Sequence, residues 1–102
     1  MMGLCVMKFG GTCLATPEDR ERSAELCREE LKSFQKAVVV VSAMGRDGDP
    51  YSTDTLMELV GDPRPEERSC ILACGEILAA AVFADLLRSG GTDATSVTGW
   101  NA

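Results

Sequence analysis

The sequence predicts an α/β fold with a parallel sheet, and three features carry that prediction. Two apolar runs, LCVMKF at 4–9 and AVVVVSAM at 37–44, have the composition of buried strands. A helical pattern at 16–34 separates them, as expected for strands joined by a right-handed parallel crossover. The second run holds four consecutive valines, which is typical of a central strand that is covered on both faces.

The predicted helices have recognisable ends. Thr16 can cap the first helix, Pro17 suits the first helical position, and Asp19 follows three residues after the cap. The longest helical pattern, at 66–89, ends at a Gly-Gly pair that suits a helix C-terminus. The remaining predicted elements are a loop at 45–54, a helix at 53–60, a break at 61–65 and a strand at 93–100. The predicted order is therefore β-α-β-α-α-β.

Length and charge limit the classes of function. The 102 residues suit one small domain. The formal net charge of −6 argues against a nucleic-acid-binding surface. It does not constrain small-molecule substrates, because one cation in a pocket matters more than the sum of the charges. The chain has no histidine, which excludes general-base or metal chemistry through imidazole.

Five cysteines occur, and no two of them form a C-x-x-C pair. Without histidine a zinc site is not expected, and we expect the cysteines to be small buried side chains in the reducing cytoplasm. The first residues do not have the pattern of a signal peptide. The longest apolar stretch, ILAAAVFA at 77–84, is too short to span a bilayer, so no membrane partner is expected.

Lys8 ends the first apolar run and is followed by Phe9, Gly10 and Gly11. Glycines let backbone N–H groups approach an anion and a lysine adds a point charge, so the segment fits a phosphate cradle. It is not a Walker A loop, because G-x-x-x-x-G-K-[ST] is absent. The alternative is an ordinary strand-to-loop turn with a solvated lysine, and the segment taken alone favours that alternative.

Glu76 stands out because its predicted helix is apolar nearly all round. A carboxylate is costly to bury without a partner, so the helix either lines a site where a cationic group docks or carries Glu76 on a narrow polar stripe. Ser42 follows the valine run, where it can bind a ligand or cap the turn, and Thr53 lies shortly after it. If the strands are parallel, Lys8 and Ser42 share the sheet edge at which open α/β sheets bind ligands.

Five short motifs occur in order along nearly the whole chain. They are KFGGT at 8–12, VVVVSAMG at 38–45, STD at 52–54, CGE at 74–76 and TGW at 98–100. Any one of them is weak, but the ordered set resembles the N-terminal part of an aspartate kinase. The segment SAMGRDGDPYSTD is particularly similar to the monofunctional bacterial aspartokinases of Gram-positive type.

The resemblance implies that residues 1–102 are the N-terminal part of an amino-acid-kinase catalytic domain, which is a three-layer α/β/α sandwich. It also implies ATP, with Mg²⁺, and L-aspartate as the substrates. The family converts the aspartate side chain into that of 4-phospho-L-aspartate. This reaction is the first step toward lysine, threonine, methionine and diaminopimelate.

The resemblance also implies roles for the residues singled out above. Lys8 would contact the nucleotide phosphates and stabilise the transferring phosphoryl group, and Gly10 and Gly11 would form the turn that admits the phosphates. The residues implied to bind aspartate are Ser42 and Thr53, which would hold the substrate, and Glu76, which would pair with its ammonium group.

Two positions depart from the family pattern, since Cys13 stands where serine is usual and Cys74 where threonine is common. The family's catalytic domain also continues well past TGW. Three interpretations follow: a piece of an aspartokinase, a non-catalytic module that binds an amino acid or a partner chain, or another relative such as an acetylglutamate or uridylate kinase. KFGGT together with TGW weighs against the third. We expect the chain by itself to be inactive and to associate with itself or with a partner chain.

Overall fold

A computed structural model describes residues 2–99 of the chain. In chain order its elements are strand β1 (Met2–Phe9), a 3₁₀ turn (Gly11–Leu14), helix α1 (Pro17–Glu30), strand β2 (Phe34–Val41), helix α2 (Thr53–Met57) and helix α3 (Pro65–Ser89). The two strands pair in parallel, from Met2 opposite Phe34 to Phe9 opposite Val41. This pairing confirms the predicted parallel sheet and brings the carboxyl ends of β1 and β2 together.

Helix α1 begins where the sequence predicts and ends earlier than predicted. The Thr16 hydroxyl accepts a hydrogen bond from the Asp19 N–H at 3.0 Å, and Pro17 opens the helix. The helix stops at Glu30 instead of continuing to residue 34. Phe34 is already the first residue of β2 and stands opposite Met2 of β1. Another helical turn would remove this pairing and the hydrogen-bonded partners that it gives the backbone.

The core lies between one face of the sheet and helices α1 and α3, which pack against each other. Alternate strand residues point to this side, among them Met7, Phe9, Val39 and Val41. The Phe9 ring stacks at a tilt on Phe83 of α3, with 5.6 Å between the ring centroids. The buried core residues are Phe9, Leu14, Ala24, Cys27, Met44, Ala79, Phe83 and Leu87.

The opposite face of the sheet is exposed in the described residues. Leu4 and Val6 of β1 are 60% and 66% exposed, and Val38 and Val40 of β2 are 49% and 45% exposed. The prediction that the valine strand is covered on both faces is therefore wrong for residues 2–99. β-Branched residues favour strands whether one face or both faces are packed, so the valine run could not distinguish the two cases.

Helix α3 contributes one face to the core, where Ala79, Phe83 and Leu87 are buried. Leu78 of the same helix is 38% exposed, so both α3 and the strands expose apolar side chains. Of the three layers of the predicted sandwich, the described residues supply the sheet and one layer of helices.

The third predicted strand, at 93–100, does not pair with another strand in the described part of the chain, and Trp100 lies outside that part. The elements before it follow the predicted order. A strand requires a hydrogen-bonded neighbour, which an apolar pattern alone cannot supply. The segment nevertheless packs on the domain, since Ala94 contacts the core and its carbonyl accepts a hydrogen bond from Arg88 at 3.0 Å.

Helix α3 is longer than its most apolar stretch. Within the described residues it is the one helix that is long and apolar enough to cross a membrane by length and composition, although the core helix of a soluble protein passes the same test. The prediction that no segment can span a bilayer considered only the apolar stretch at 77–84, whereas the helix runs from Pro65 to Ser89. Its last turn is held to α1 by Arg28, which donates to the Leu86 carbonyl at 3.4 Å, a favourable place for a cation.

Candidate functional site

The backbone segments that follow β1 and β2 run side by side at the carboxyl edge of the sheet. The Ser42 N–H donates to the Phe9 carbonyl at 3.3 Å, and the Gly45 N–H donates to the Gly11 carbonyl at 2.8 Å. These two bonds extend the contact between the strands beyond the ends of β1 and β2. The Gly-Gly turn therefore packs along residues 42–45, and we call residues 42–45 the 42–45 edge.

Gly10 and Gly11 have different surroundings at this edge. A Cβ atom on Gly11 would lie 2.5 Å from the carbonyl oxygens of both Ala43 and Gly45, which is far inside van der Waals contact. A Cβ atom on Gly10 would meet nothing within 4 Å. Gly11 is thus required for backbone packing, whereas the missing side chain of Gly10 leaves open space that a ligand can enter.

Lys8 lies next to this edge on the exposed face of the sheet. It stands opposite Val40 in the register, and strand alternation puts it on the same face as Val6. Its side chain makes no ion pair or hydrogen bond with residues 2–99. The ammonium group is therefore available for a ligand and contributes little to folding.

Thr53 and Ser52 have distinct roles at the start of α2. The buried Ser52 hydroxyl accepts a hydrogen bond from the Thr55 N–H at 3.3 Å and is within 3.1 Å of the Asp49 carbonyl, so this residue caps the helix. Thr53 is the first residue of α2 and is exposed. The capping function belongs to Ser52, which leaves the Thr53 hydroxyl free of that task.

Glu76 is exposed on α3, so the argument that its carboxylate is costly to bury does not apply. The buried residue is its neighbour Gly75. A Cβ atom on Gly75 would lie 3.0 Å from Cβ of Ala43 and 2.9 Å from Cδ1 of Leu56. This contact brings α3 to the 42–45 edge, next to Ser42. That the Glu76 carboxylate faces a bound ligand stays a prediction.

Known proteins match this arrangement. The sequence profile described as "Amino acid kinase family" matches residues 3–102. The chain belongs to the amino acid kinase family. This amino acid kinase chain is 41% identical over 105 residues to Aspartokinase 1 of Bacillus subtilis (strain 168), with 99% of the chain and 26% of the relative covered. It is 38% identical to an aspartokinase of Mycolicibacterium smegmatis, with 99% and 24% covered.

A solved structure agrees with the fold. The crystal structure of aspartate kinase from Synechocystis superposes with a TM-score of 0.74 at 31% sequence identity, covering 86% of this chain and 15% of that chain. The prediction of an amino-acid-kinase α/β fold is thereby confirmed. The chain spans about a quarter of the length of the curated relatives that it matches.

Two residues of α1 that the sequence analysis did not single out hold the 3₁₀ turn that follows Gly10 and Gly11 from the helix side. The Ser23 hydroxyl, 4% exposed, donates to the Cys13 carbonyl at 2.8 Å. The Arg20 guanidinium donates to the Leu14 carbonyl at 2.9 Å. A serine within the apolar stripe of α1 was the available signal, because a buried hydroxyl requires a hydrogen-bond partner.

The cysteines correct one expectation. Cys27 is buried, and burial raises the pKa of its thiol, as expected for an inert core residue. Cys13, Cys70 and Cys74 are exposed, so the expectation of buried cysteines is wrong for these three. Cys13 and Cys74 stand at the two positions where the resemblance indicates serine and threonine. Because both positions are exposed, a polar side chain there would also contact solvent.

A groove outside the candidate site lies at the start of α3, and no residue of the 42–45 edge lines it. It has a volume of about 660 Å³ and is lined by the 60–63 segment and the first turns of α3. Two glutamates of that helix, Glu66 and Glu67, line it, which makes it unsuitable for a phosphate. The candidate site is therefore an open edge and not an enclosed pocket.

Proposed function

We propose that this chain forms the phosphate-side turn and part of the amino-acid pocket of an enzyme that phosphorylates the side-chain carboxylate of L-aspartate with ATP. The product is 4-phospho-L-aspartate, on the way to lysine, threonine and methionine. The observation that carries the proposal is the contact of the Gly-Gly turn, the segment after β2 and the Gly75 region of α3 at one sheet edge. The 41% identity to an aspartokinase supports the choice of substrate.

Phosphoryl transfer to a carboxylate requires mainly the positioning of the reactants and the neutralisation of charge. A carboxylate is already a nucleophile, so no general base is required, and phosphoryl transfer depends on holding the reactants in line and balancing charge. Lys8 supplies a cation at the end of β1, and the open space above Gly10 admits phosphate oxygens to the backbone N–H groups. Mg²⁺ enters with ATP, and no residue of this chain is assigned to it.

The amino acid is held by two hydroxyls and one carboxylate. Ser42 and Thr53 provide hydrogen bonds to the substrate, and Glu76 pairs with its ammonium group. All three residues are on segments that meet at Gly75, and both Thr53 and Glu76 are exposed. We place the enzyme in the cytoplasm, in line with the free thiols of all its cysteines.

A second candidate function is a non-catalytic module that binds an amino acid or a partner chain. The exposed apolar sheet face favours it, because apolar surface of this kind usually contacts another protein surface. The two candidates differ in whether the chain can complete a catalytic site.

A chimera distinguishes them. Residues 3–102 of this chain replace the matching quarter of Aspartokinase 1 from Bacillus subtilis, and ADP release is measured with and without aspartate. Aspartate-dependent turnover is the expected result, with unmodified Aspartokinase 1 as the reference. A folded chimera that neither turns over nor binds aspartate would contradict the kinase proposal and favour the non-catalytic module.

Glu76→Gln in the chimera is expected to raise the KM for aspartate by about 10- to 100-fold, with the KM for ATP nearly unchanged. The substitution removes one charge-assisted contact to the ammonium group, and such contacts contribute about 1.5–3 kcal/mol. Asp85→Asn, also an exposed carboxylate on α3, is the control and should leave both constants unchanged. Equal changes in the two KM values would remove Glu76 from the amino-acid pocket.

The 102-residue chain alone is expected to show no aspartate kinase activity and to self-associate. Its candidate site is an open edge where water competes for every contact, and the face that contains Val6 and Val38 is exposed. Calorimetric titration with ATP and Mg²⁺, together with light scattering, tests both statements. The variant Val6→Lys with Val38→Lys should shift the chain toward monomer. Micromolar ATP binding by a strict monomer would contradict the prediction.

A further inference from the structure

Three segments of the candidate site meet at Gly75 with no side chain of that residue between them. A Cβ atom at this position would lie 2.9 Å from Cδ1 of Leu56 in α2 and 3.0 Å from Cβ of Ala43. Gly75 and Ala43 are both buried. The backbone of α3 therefore packs directly on α2 and on the 42–45 edge, which only glycine permits at this distance.

Each contacting residue is close in sequence to a residue proposed to bind aspartate. The pairs are Gly75 and Glu76 in α3, Ala43 and Ser42 after β2, and Leu56 and Thr53 in α2. The Leu56 N–H donates to the Ser52 carbonyl at 3.0 Å, which fixes Leu56 within the same helical turn as Thr53. The spacing of the three polar side chains therefore depends on how closely α3 approaches its two neighbours.

We propose that this Gly75 contact, with Leu56 and Ala43 as positioning residues, sets the distance from Glu76 to the hydroxyls of Ser42 and Thr53. The inference rests on the proposed function, because it takes aspartate as the ligand. Gly75, Leu56 and Ala43 act through the segments that they hold and do not touch the substrate.

A single added methyl group tests the contact. Carbon atoms in contact are about 3.5–4.0 Å apart, so an alanine at 75 needs roughly 0.5–1 Å of displacement. Cδ1 of Leu56 can move by side-chain rotation, but Cβ of Ala43 is fixed to the backbone. Part of the displacement must therefore separate α3 from the 42–45 edge, which lengthens the hydrogen bonds proposed to hold aspartate and weakens its binding.

In the chimera, Gly75→Ala is expected to raise the KM for aspartate by about tenfold or more, with kcat and the KM for ATP within about twofold. Adding Ala43→Gly removes the crowding atom that cannot rotate away and should restore most of the affinity, whereas Leu56→Val leaves Cβ of Ala43 in place and should restore less. Ser69→Ala, at an exposed position on the same helix, is the control and should change nothing. Amide hydrogen exchange should be faster at 42–45 and in α2 in Gly75→Ala alone.

The outcomes separate this inference from the proposed function. Equal effects on both substrates, or no rescue by Ala43→Gly, would overturn the positioning role while leaving the kinase proposal intact. A chimera without any aspartate kinase activity would overturn the proposed function. Hydrogen exchange then decides the inference by itself: faster exchange at 42–45 and in α2 supports the contact, and unchanged exchange overturns it.

Discussion

Gly11→Ala is expected to lower the melting temperature of the 102-residue chain by more than about 10 °C. The new Cβ would lie 2.5 Å from the carbonyl oxygens of Ala43 and Gly45. Backbone oxygens cannot rotate away as the end of a side chain can. Relief therefore requires the Gly-Gly turn to leave the 42–45 edge, which breaks the 2.8 Å bond from the Gly45 N–H to the Gly11 carbonyl.

The size of this effect follows from the cost of overpacking. Extra atoms in a well-packed site cost about 1–3 kcal/mol, and occasionally more where the backbone must move. One kcal/mol shifts the melting temperature of a domain of this size by about 4–8 °C. Thermal unfolding followed by circular dichroism measures the difference directly.

Gly10→Ala is the matched control, because a Cβ atom there meets nothing within 4 Å. Its melting temperature should stay within about 4 °C of the unmodified chain, as for other open surface positions. In the chimera the same variant should weaken the binding of ATP, since the methyl group occupies the space proposed for phosphate. Equal melting temperatures for Gly10→Ala and Gly11→Ala would contradict the packing argument.

The sequence predicted those parts of the fold that depend on local chemistry. The Thr16 cap, the Pro17 start and the end of α3 at Gly90 follow from side-chain and backbone hydrogen bonding within a few residues. Parallel pairing of β1 and β2 followed from one helix between two apolar runs. These signals are contained within the segments that they describe.

Features that depend on distant neighbours could not be predicted in the same way. Valine at 38 and 40 fits a covered or an uncovered sheet face equally well, and the pattern at 93–100 is only a strand if another strand lies beside it. The apolar character of α3 left open whether Glu76 lines a site or lies on a narrow polar stripe, and the structure exposes Glu76 and buries Gly75. Tertiary packing decided each of these cases.

The candidate site was predictable as a set of residues but not as a set of contacts. The motifs identified Gly10 and Gly11 together. The sequence does not distinguish a glycine that is required for packing from one that leaves space for a ligand, whereas the structure does. Ser52 and Thr53 are likewise adjacent hydroxyls, and only the helix geometry assigns the cap to Ser52. Distances at 2.5–3.3 Å arise from the assembled fold.

Lys8→Ala in the chimera is expected to lower kcat by about 100- to 1,000-fold, which is the typical effect of removing one group that stabilises charge in a transition state. Lys8 is exposed and makes no ion pair within the described residues, so its removal should change the free energy of unfolding by less than about 1 kcal/mol. A large loss of rate without loss of stability separates a phosphate-facing charge from a structural one.

Lys36→Ala is the matched control for Lys8→Ala. Lys36 is also exposed and stands opposite Leu4 in the register, which puts it on the same sheet face but at the opposite end of the strands. It should keep the kcat of the unmodified chimera, because its ammonium group is far from the carboxyl edge where the phosphates are proposed to bind. Stopped-flow measurement of ADP formation and chemical denaturation of both variants make the comparison. A Lys8→Ala chimera that keeps near-normal turnover, or that unfolds readily, would mean that Lys8 is incidental or structural and that another residue balances the phosphoryl charge.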